Sequence, residues 1–269
     1  MVIQHNIAAN NAYRNLSSNA SNGQKNLEKL SSGFRINRSA DDAAGLAISE
    51  QMRSKINGLD QATANANDAI GLIQTAEGAL TETHSMLQRM VTLATQSANG
   101  TYNTTARSAI SAEVDALKKE IDRIASTTDY NGVKPLASSS DIQVQVGPTS
   151  GETLNIAAAK MDASSLSISA ITVSSVSSAN TAITAINKAI DKVSSHRANL
   201  GASQNRLEHT INNLKTTSEN MTAAESRIRD TDMAKEMAAF TKNNILNQAA
   251  QSMLSQANQQ PQGVLSLLR

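Results

Sequence analysis

The sequence predicts a mainly α protein: a long antiparallel helical coiled-coil rod with a small β-hairpin region, in which the two termini come together. Two long segments, 56–94 and 183–228, place residues of one seam at alternating steps of three and four, which is typical of packed helices. A shorter segment, 141–157, alternates with period two around a turn containing Gly and Pro, which predicts a β-hairpin. Only five of the 269 residues are aromatic, so the composition favours thin helix-to-helix seams over one large core.

The N-terminal segment, residues 1–33, predicts an amphipathic helix rich in Asn and Ser. Because these residues are poor helix formers, we expect this helix to need a partner helix. Its predicted seam consists of Tyr13, Leu16, Ala20, Gly23, Leu27 and Leu30. Residues 34–38 form a connector, and Ser39-Ala40-Asp41-Asp42 predicts a capping box before the next helix.

The remaining helices follow from the apolar pattern. Segments 44–98 and 105–125 predict two helices, and 180–226 predicts a long helix in the C-terminal half. Residues 162–181, mainly Ser, Ala and Thr, predict loop or edge structure. A final helix is expected at 232–257, followed by a tail that contains a proline. Its apolar residues are Met233, Met237, Phe240, Ile245, Leu246, Ala249, Met253 and Leu254.

The two long predicted helices define a rod seam. In the first helix it is predicted at Ile56, Leu59, Thr63, Ala66, Ile70, Ile73, Glu77, Leu80, His84, Leu87, Val91 and Ala94. In the second it is predicted at Ile183, Ile186, Ile190, Val193, Arg197, Leu200, Gln204, Leu207, Ile211, Leu214, Ser218, Met221, Glu225 and Ile228. We expect Ile70, Ile73, Leu87, Leu207, Ile211 and Leu214 to hold this seam together.

Two polar residues, Glu77 and His84, fall on the predicted seam. We expect them to set helix register through contacts with Arg197 or Gln204 of the opposing helix. A metal site is the alternative, but one His and one carboxylate seven residues away make a poor ligand set. The sequence therefore predicts no metal site here.

Composition and motifs argue against several classes of function. The formal charge is +1 with no basic run, so we expect no nucleic-acid partner, and no stretch approaches the ~20 apolar residues of a membrane span. There is no cysteine, and the N-terminus lacks the pattern of a cleaved signal peptide. No nucleophile elbow, phosphate loop or zinc-protease motif occurs, so we predict neither an enzyme nor a cofactor.

Four aspartates stand in two pairs, Asp41 with Asp42 and Asp230 with Asp232. A carboxylate cluster for calcium or hydrolysis is one interpretation. Each pair, however, precedes a predicted helix, where carboxylates accept hydrogen bonds from free N–H groups. We therefore expect these residues to cap helices.

Six segments together resemble one known family. They are SGFRIN at 32–37, DDAAGLAI at 41–48, LGASQNRL at 200–207, INNL at 211–214, AESRIRDTDM at 224–233 and VLSLLR at 264–269. These motifs resemble those of bacterial flagellin, at both ends of the chain and in the same order. The chain resembles a short form that lacks the variable outer domains usually found in the middle.

The resemblance implies a domain plan. Residues 1–33 and 232–269 would pair as the inner domain that lines the filament channel. Residues 34–43 and 227–231 would be connectors, and 44–226 would be the outer helical rod with the hairpin. The chain would be the structural subunit of the flagellar filament, outside the cell, exported unfolded without a cleaved signal peptide and folded on assembly at the tip.

The resemblance also implies partners. They are other copies of the chain, the flagellar export apparatus, a flagellin export chaperone, the filament cap and the hook–filament junction proteins. The residues expected in subunit assembly are Arg35, Asn37, Asp41, Asp42, Phe240, Leu254, Leu265, Leu268 and Arg269.

One further partner follows from the resemblance, a host Toll-like flagellin receptor. Residues matching the motif that this receptor recognises in the family are Gln88, Arg89, Leu93, Gln96 and Glu113. Val91 and Thr92 depart from it, because relatives often carry an Arg-Glu pair there.

Two alternatives to a filament subunit stay open at this point. A hook–filament junction protein shares the terminal helices and the assembly logic, and would be made in far smaller amounts. A coiled-coil binding module or adhesin would have folded termini as a monomer and would form no filaments.

Overall fold

A computed structural model of the protein describes the backbone of residues 6–267 and the side chains of residues 6–260. Within these residues the elements are, in order, α1 (Ile7–Ser32), α2 (Ala43–Ala98), α3 (Thr104–Thr127), β1 (Ile142–Gln145), β2 (Thr153–Ile156), α4 (Val176–Arg229) and α5 (Met233–Leu267). The predicted mainly α class with one small β-hairpin is confirmed.

The chain divides into two compact units. Unit 1 comprises Met1–Ile56 and Glu219–Arg269, and unit 2 comprises Asn57–Ser218. Helices α2 and α4 contribute residues to both units. Unit 1 contains the paired helices α1 and α5, and unit 2 contains α3, the hairpin and the main apolar core.

Side chains and one glycine set the ends of the first three helices. Asn6 and Asn103 cap the N-termini of α1 and α3, each accepting a hydrogen bond from the N–H three residues later. Gly33 ends α1 in the left-handed conformation, at φ 75°, where other residues are strained. The predicted capping box is wrong in its position: Asp42, not Ser39, caps α2, because Asp42 Oδ1 accepts from Gly45 N at 2.8 Å.

The last two helices are longer than predicted. Helix α4 begins at Val176, where Ser175 and Ser178 each accept a hydrogen bond from the other's backbone N–H, as in a capping box. Helix α5 continues to Leu267 instead of ending near residue 257, so Pro261 lies inside the helix. The prediction had placed Pro261 in a tail after the helix, and proline is uncommon inside helices because it lacks a backbone N–H.

The core of unit 2 lies between α2, α3, α4 and the hairpin. Its largest fully buried side chains include Ile73, Leu80, Leu87, Ile121 and Ile186. Many of the other core residues are alanines. This agrees with the thin seams expected from the scarcity of aromatic residues.

The predicted seam of α2 is right at alternate positions and wrong at those between. Leu59, Ala66, Ile73, Leu80, Leu87 and Ala94 are buried. At the intervening positions the buried residues are Ala62, Ala69, Ala76, Thr83 and Met90, each one residue before Thr63, Ile70, Glu77, His84 and Val91. Small side chains occupy most of these contacts, while the larger or polar residues predicted for them are only half-buried beside the core.

The same one-residue shift occurs in the first half of α4. Ala182, Ala189 and His196 are buried where Ile183, Ile190 and Arg197 had been predicted. The other predicted positions up to Leu214 that are buried are Ile186, Val193, Leu200, Leu207, Ile211 and Leu214. Of the residues expected to hold the rod seam, Ile70 is the one that is only half-buried, and it packs against the core.

The β-hairpin and the segment after it complete unit 2. Strands β1 and β2 pair antiparallel, with Val144 opposite Leu154. The segment between β2 and α4 lacks regular structure, as predicted, but Leu166, Ile168 and Val173 are buried. Side chains of α3 and α4 hold this segment: Lys118 and Lys192 donate to its carbonyl groups, and Asp122 accepts from Ala163 N.

The part of the chain that the structure describes contains neither a membrane-spanning helix nor a cluster of metal-binding side chains. No helix there is long and apolar enough to cross a membrane. No group of three or more His, Asp or Glu side chains there could hold a metal ion.

Candidate assembly surface

Helices α1 and α5 pack antiparallel in unit 1 through small and polar side chains. Between residues 9 and 26, the buried or half-buried positions of α1 are Ala9, Ala12, Leu16, Asn19, Gly23 and Asn26. Between residues 240 and 257, those of α5 are Phe240, Asn243, Asn247, Ala250, Leu254 and Ala257. Both sets follow steps of three and four, the spacing of a coiled-coil seam. The expected pairing of the terminal helices is therefore confirmed.

The residues at this seam differ from those predicted for α1. Leu16, Gly23 and Leu30 face the partner helix or its border, but Tyr13, Ala20 and Leu27 are exposed. The positions one residue before them, Ala12, Asn19 and Asn26, are half-buried instead. The prediction ranked side chains by apolar size, whereas the contact uses residues that let two backbones approach.

Asn26 is the centre of a polar network across the seam. With its amide assigned from its hydrogen-bond partners, its nitrogen donates to Glu236 Oε1 at 2.9 Å and its oxygen accepts from Asn243 Nδ2 at 2.9 Å. The same oxygen accepts from Phe240 N at 3.3 Å. A polar residue with partners at only one register favours that register over slipped ones.

Asn6 joins the start of α1 to the last turns of α5. Its Oδ1 accepts from Ala9 N at 3.0 Å, and its Nδ2 donates to the main-chain oxygen of Ala257 at 2.8 Å. In an uninterrupted α-helix, the Ala257 oxygen would accept from the N–H of residue 261. Residue 261 is proline and has no N–H, so the Asn6 amide supplies the missing donor.

Large apolar side chains on both helices face solvent. On α1 these are Ile7, Tyr13 and Leu27, with Tyr13 64% exposed. On α5 they are Met233, Met237, Ile245, Leu246 and Met253. A groove of about 450 Å³ beside the seam is lined in part by Ala8, Ala12, Leu246 and Met253. Exposed apolar side chains gathered on one helix pair indicate a surface that another protein covers.

The two predicted connectors lie next to each other within unit 1. Phe34 and Asp230 form an antiparallel bridge, and Arg35 N donates to the Arg229 oxygen at 2.6 Å. The Arg229 guanidinium lies 4.8 Å from the centre of the Phe34 ring and forms an ion pair with Glu50. Hydrogen bonds thus join the chain before α2 to the chain after α4.

The aspartates of the connectors stabilise turns and helix ends. Asp41 Oδ2 accepts from the N–H groups of Arg38 and Asn37, and these bonds hold the pKa of the Asp41 carboxyl below its ordinary value. Asp232 Oδ1 accepts from two N–H groups in the first turn of α5. The predicted capping role is confirmed for Asp42 and Asp232. Gly45 lacks a side chain where a Cβ would lie 2.8 Å from Ile36 Cδ1 and collide with the Asp42 carboxylate.

The residues predicted for subunit assembly have different environments. Arg35, Asn37, Asp41 and Asp42 all make hydrogen bonds within the connector region. Phe240 and Leu254 are half-buried in the α1–α5 seam. The Leu265 side chain, and the whole of Leu268 and Arg269, lie outside the described residues. The sequence prediction missed Asn6 and Asn26. For Asn26 a signal was present, because it stands seven residues after Asn19.

The predicted receptor-contact residues lie on α2 and α3 of unit 2. Arg89 forms an ion pair with Glu113 at 2.8 Å, and both side chains are exposed. Gln88 lies 3.0 Å from His84 Nε2, and Gln96 donates to the Tyr102 hydroxyl. Leu93 is buried in the core, so its side chain packs within the unit and is not on the surface.

Three polar residues lie at the boundary of this core. Arg197 contacts Glu77 at 3.4 Å, which confirms one of the contacts predicted between α2 and α4. His196, which is outside the predicted seam, is only 6% exposed. Burial lowers the pKa of the His196 imidazole below its ordinary value because the charged form loses hydration.

The geometry defines a class of protein: a helical structural protein whose terminal helices pair through a thin seam and expose apolar side chains. Two family models match the sequence. The bacterial flagellin N-terminal helical region matches residues 3–141, and the bacterial flagellin C-terminal helical region matches residues 183–268. The chain belongs to the bacterial flagellin family.

Individual relatives agree along the whole chain. A flagellin of Halalkalibacterium halodurans is 56% identical over 272 residues and one of Bacillus subtilis is 50% identical over 304 residues, with 100% of both chains covered in each case. The flagellar filament 33 kDa core protein of Treponema phagedenis is 45% identical, again over 100% of both chains. The match at 272 aligned residues fits a short flagellin without variable outer domains.

Two solved structures share the fold. A crystal structure of Bacillus cereus flagellin is 37% identical, with a TM-score of 0.51 over 60% of this chain and 94% of that one. A hook-associated protein structure from Vibrio parahaemolyticus has a TM-score of 0.61 over 71% of this chain and 100% of that one. It is only 14% identical, so it shows a common fold alone.

Proposed function

We propose that this chain is the structural subunit that polymerises into the bacterial flagellar filament outside the cell. The observation that carries the proposal is the set of large apolar side chains exposed on α1 and α5, together with membership of the flagellin family. A lone molecule leaves these side chains in water. Copies that pack their terminal helices together would bury them, at about 25 cal/mol per Å² of apolar surface.

Polymerisation would also complete the folding of the terminal helices. The seam between α1 and α5 holds Ala, Gly and Asn at most positions, so it buries little apolar surface. Such a seam offsets little of the entropy lost on ordering two helices. We therefore expect both helices to be poorly stable in free subunits and to become stable when neighbours cover Tyr13, Leu246 and Met253.

The domain plan belongs to this proposal. Residues 1–33 and 232–269 form the inner, channel-lining domain, 34–43 and 227–231 are the connectors, and 44–226 is the outer part. The hydrogen bonds between Phe34–Arg35 and Arg229–Asp230 support a connector role for both segments. The proposed assembly residues Arg35, Asn37, Asp41 and Asp42 would hold this connector region in the shape that neighbouring subunits contact.

The other proposed partners follow from export and assembly. The chain would be exported unfolded by the flagellar apparatus without a cleaved signal peptide, and would meet an export chaperone, the filament cap and the hook–filament junction proteins. The exposed apolar residues of α5 suit a chaperone that covers them before assembly. As a structural subunit it needs no catalytic group.

Recognition by a Toll-like flagellin receptor is a separate proposal. Gln88, Arg89, Gln96 and Glu113 are the residues through which a receptor would contact unit 2, and Arg89 and Glu113 form an ion pair on that surface. Binding of the purified chain to the receptor ectodomain tests this. Arg89→Glu should weaken binding, and no binding of the unmodified chain at micromolar concentration would rule the proposal out.

A hook–filament junction protein is not favoured as an alternative. The full-length relatives are flagellins and a filament core protein. The hook-associated structure is too distant in sequence to support a shared function.

Electron microscopy of seeded assembly tests the main proposal. The purified full-length chain, added to sheared filament fragments, should give long uniform tubes with a central channel. Leu246→Asp/Met253→Asp should prevent growth, because it places two charges on the exposed apolar face. Asn244→Asp/Gln251→Asp, which adds the same charge at exposed polar positions of α5, is the matched control. Monomers that persist while the unmodified chain is folded would contradict the proposal.

A further inference from the structure

Two helices of unit 2 carry opposite charge. The part of α2 in this unit has four carboxylates and one arginine, a formal charge of −3; they are Asp60, Asp68, Glu77, Glu82 and Arg89. The part of α4 in this unit has five basic residues and two carboxylates, a formal charge of +3; they are Lys188, Lys192, Arg197, Arg206, Lys215, Asp191 and Glu208. The two helices share one core, so their charged sides both turn away from it.

Ion pairs within the unit neutralise only part of these charges. Glu77 pairs with Arg197, and Arg89 pairs with Glu113 of α3. Asp68 and Glu82 on α2 make no ion pair with any described residue, and neither do Lys188 and Arg206 on α4. All four side chains are exposed.

The spacing of the charges is the same on both helices. Asp68 and Glu82 are fourteen residues apart, which is about four turns and about 21 Å along the axis. Lys192 and Arg206 are also fourteen residues apart, and Lys188 lies about one turn before Lys192 on the same side. We name Asp68 and Glu82 the acidic stripe, and Lys188, Lys192 and Arg206 the basic stripe.

We propose that the acidic stripe of one copy docks on the basic stripe of a second copy. This inference rests on the proposed filament function and names a contact within it. In this contact each copy would offer its acidic stripe to one neighbour and its basic stripe to another. In such a head-to-tail contact, a copy bound through one stripe still has its other stripe available for the next copy. The contact can therefore repeat along a helical polymer. Opposite charges guide incoming subunits and disfavour wrong registers.

Reciprocal charge reversal in the full chain tests the contact. The acidic-stripe variant is Asp68→Lys/Glu82→Lys, and the basic-stripe variant is Lys188→Glu/Arg206→Glu. Lys119→Glu/Lys215→Glu is the control: it changes net charge as much as the basic-stripe variant, at exposed residues of α3 and α4 outside both stripes. Elongation from sheared filaments of the unmodified chain is timed by light scattering at low salt, after circular dichroism confirms that each variant is folded.

Each stripe variant alone should elongate at least about tenfold more slowly than the unmodified chain, since like charges then face each other. An equimolar mixture of the two should regain most of the rate, because each carries the stripe that the other needs, and the control should elongate normally. Stripe variants that elongate within about twofold of the unmodified chain would overturn the proposal, and so would a mixture as slow as its components.

Two safeguards keep the outcome interpretable. If the unmodified chain forms no filaments, the proposed function is wrong. If it forms filaments and both stripe variants grow normally, only the proposed stripe contact is wrong. If a reversed variant does not fold, the neutral variants Asp68→Asn/Glu82→Gln and Lys188→Gln/Arg206→Gln replace the reversed ones. These should slow growth by a smaller factor, and unchanged growth would overturn the contact.

Discussion

Asn6 donates a hydrogen bond from Nδ2 to the main-chain oxygen of Ala257 at 2.8 Å, which links the first turn of α1 to α5. The acceptor is the carbonyl that Pro261 leaves without an N–H partner. The same side chain caps α1 through Oδ1. A single asparagine therefore caps the N-terminus of α1 and supplies a hydrogen-bond donor to a free main-chain oxygen of α5.

Asn6→Asp should separate the two roles, because aspartate keeps the capping oxygen and loses the Nδ2 donor. In assembled filaments, where we expect both helices to be stable, amide hydrogen exchange across α1 and the end of α5 should be faster, equivalent to a loss of about 1 kcal/mol of local stability. Asn10→Asp, an exposed change in the same turn, is the charge-matched control. Adding Pro261→Ala to Asn6→Asp should restore part of the protection by giving Ala257 an N–H partner. Unchanged exchange in Asn6→Asp would contradict the link.

The sequence predicts which helices form better than it predicts which side of each helix is buried. Helix number, order and the hairpin follow from periodicity, which a packed seam imposes on any sequence. The face of each helix was predicted less well: Tyr13 and Leu27 were placed at the seam, and both are exposed. A pattern of apolar residues cannot distinguish a face buried within the chain from a face reserved for other copies. In α1, the large apolar side chains of Tyr13 and Leu27 lie on the exposed side.

The same limit explains the one-residue shift in unit 2. Ala69 and Ala76 contribute little hydrophobicity, so the predicted rhythm of three and four steps ran one residue later, through Ile70 and Glu77. In the structure, the closest helix contacts need small side chains, and the bulky neighbours fill the space at the sides. The contact between Glu77 and Arg197 was still predictable, because each lies beside the seam at matching levels of the two helices.

Asn26→Asp should weaken the pairing of α1 with α5. A second carboxylate would face Glu236 in place of the amide that now donates to it. Because the like charges repel each other, the pairing of α1 with α5 should lose about 1–2 kcal/mol of stability at neutral pH. The repulsion raises the pKa of this pair, so stability should recover as pH falls and one carboxylate gains a proton. Asn22→Asp, exposed on the same helix, should lack this pH-dependent recovery in hydrogen exchange.

Leu207→Asp should unfold unit 2. Leu207 is 0% exposed, and an ionised carboxylate there would have no partner in an apolar core. The free energy of unfolding of unit 2 should fall by more than about 4 kcal/mol, as in the most damaging single substitutions. Ile211→Asp should act in the same way. Thermal unfolding followed by circular dichroism measures the effect, with exposed Asn205→Asp as the control; a native melting curve for Leu207→Asp would be inconsistent with this core.

Deleting residues 255–269 should leave unit 2 folded while it prevents assembly. The last residue of the unit 2 core is Ile211, and none of the described side chains of α5 belongs to it. The deletion removes Ala257 and with it the Asn6 hydrogen bond of unit 1. Circular dichroism should show a helical protein with a cooperative melt, and sedimentation should show monomers under assembly conditions. Loss of the cooperative melt would mean that the core depends on the C-terminal helix.

His196 should make the stability of unit 2 depend on pH. Burial lowers the pKa of its imidazole in the folded state, whereas an unfolded chain has the ordinary value of about 6.5. Above that value both states are neutral and the residue has no effect. As pH falls below it, the unfolded state binds a proton first, so the free energy of unfolding decreases, by at most about 1.4 kcal/mol per pH unit, until the folded state also protonates. Urea unfolding at pH 7, 6 and 5 should show this decline. His196→Leu should flatten it, whereas exposed His209→Leu should not; equal slopes for all three proteins would mean that another group controls the pH dependence.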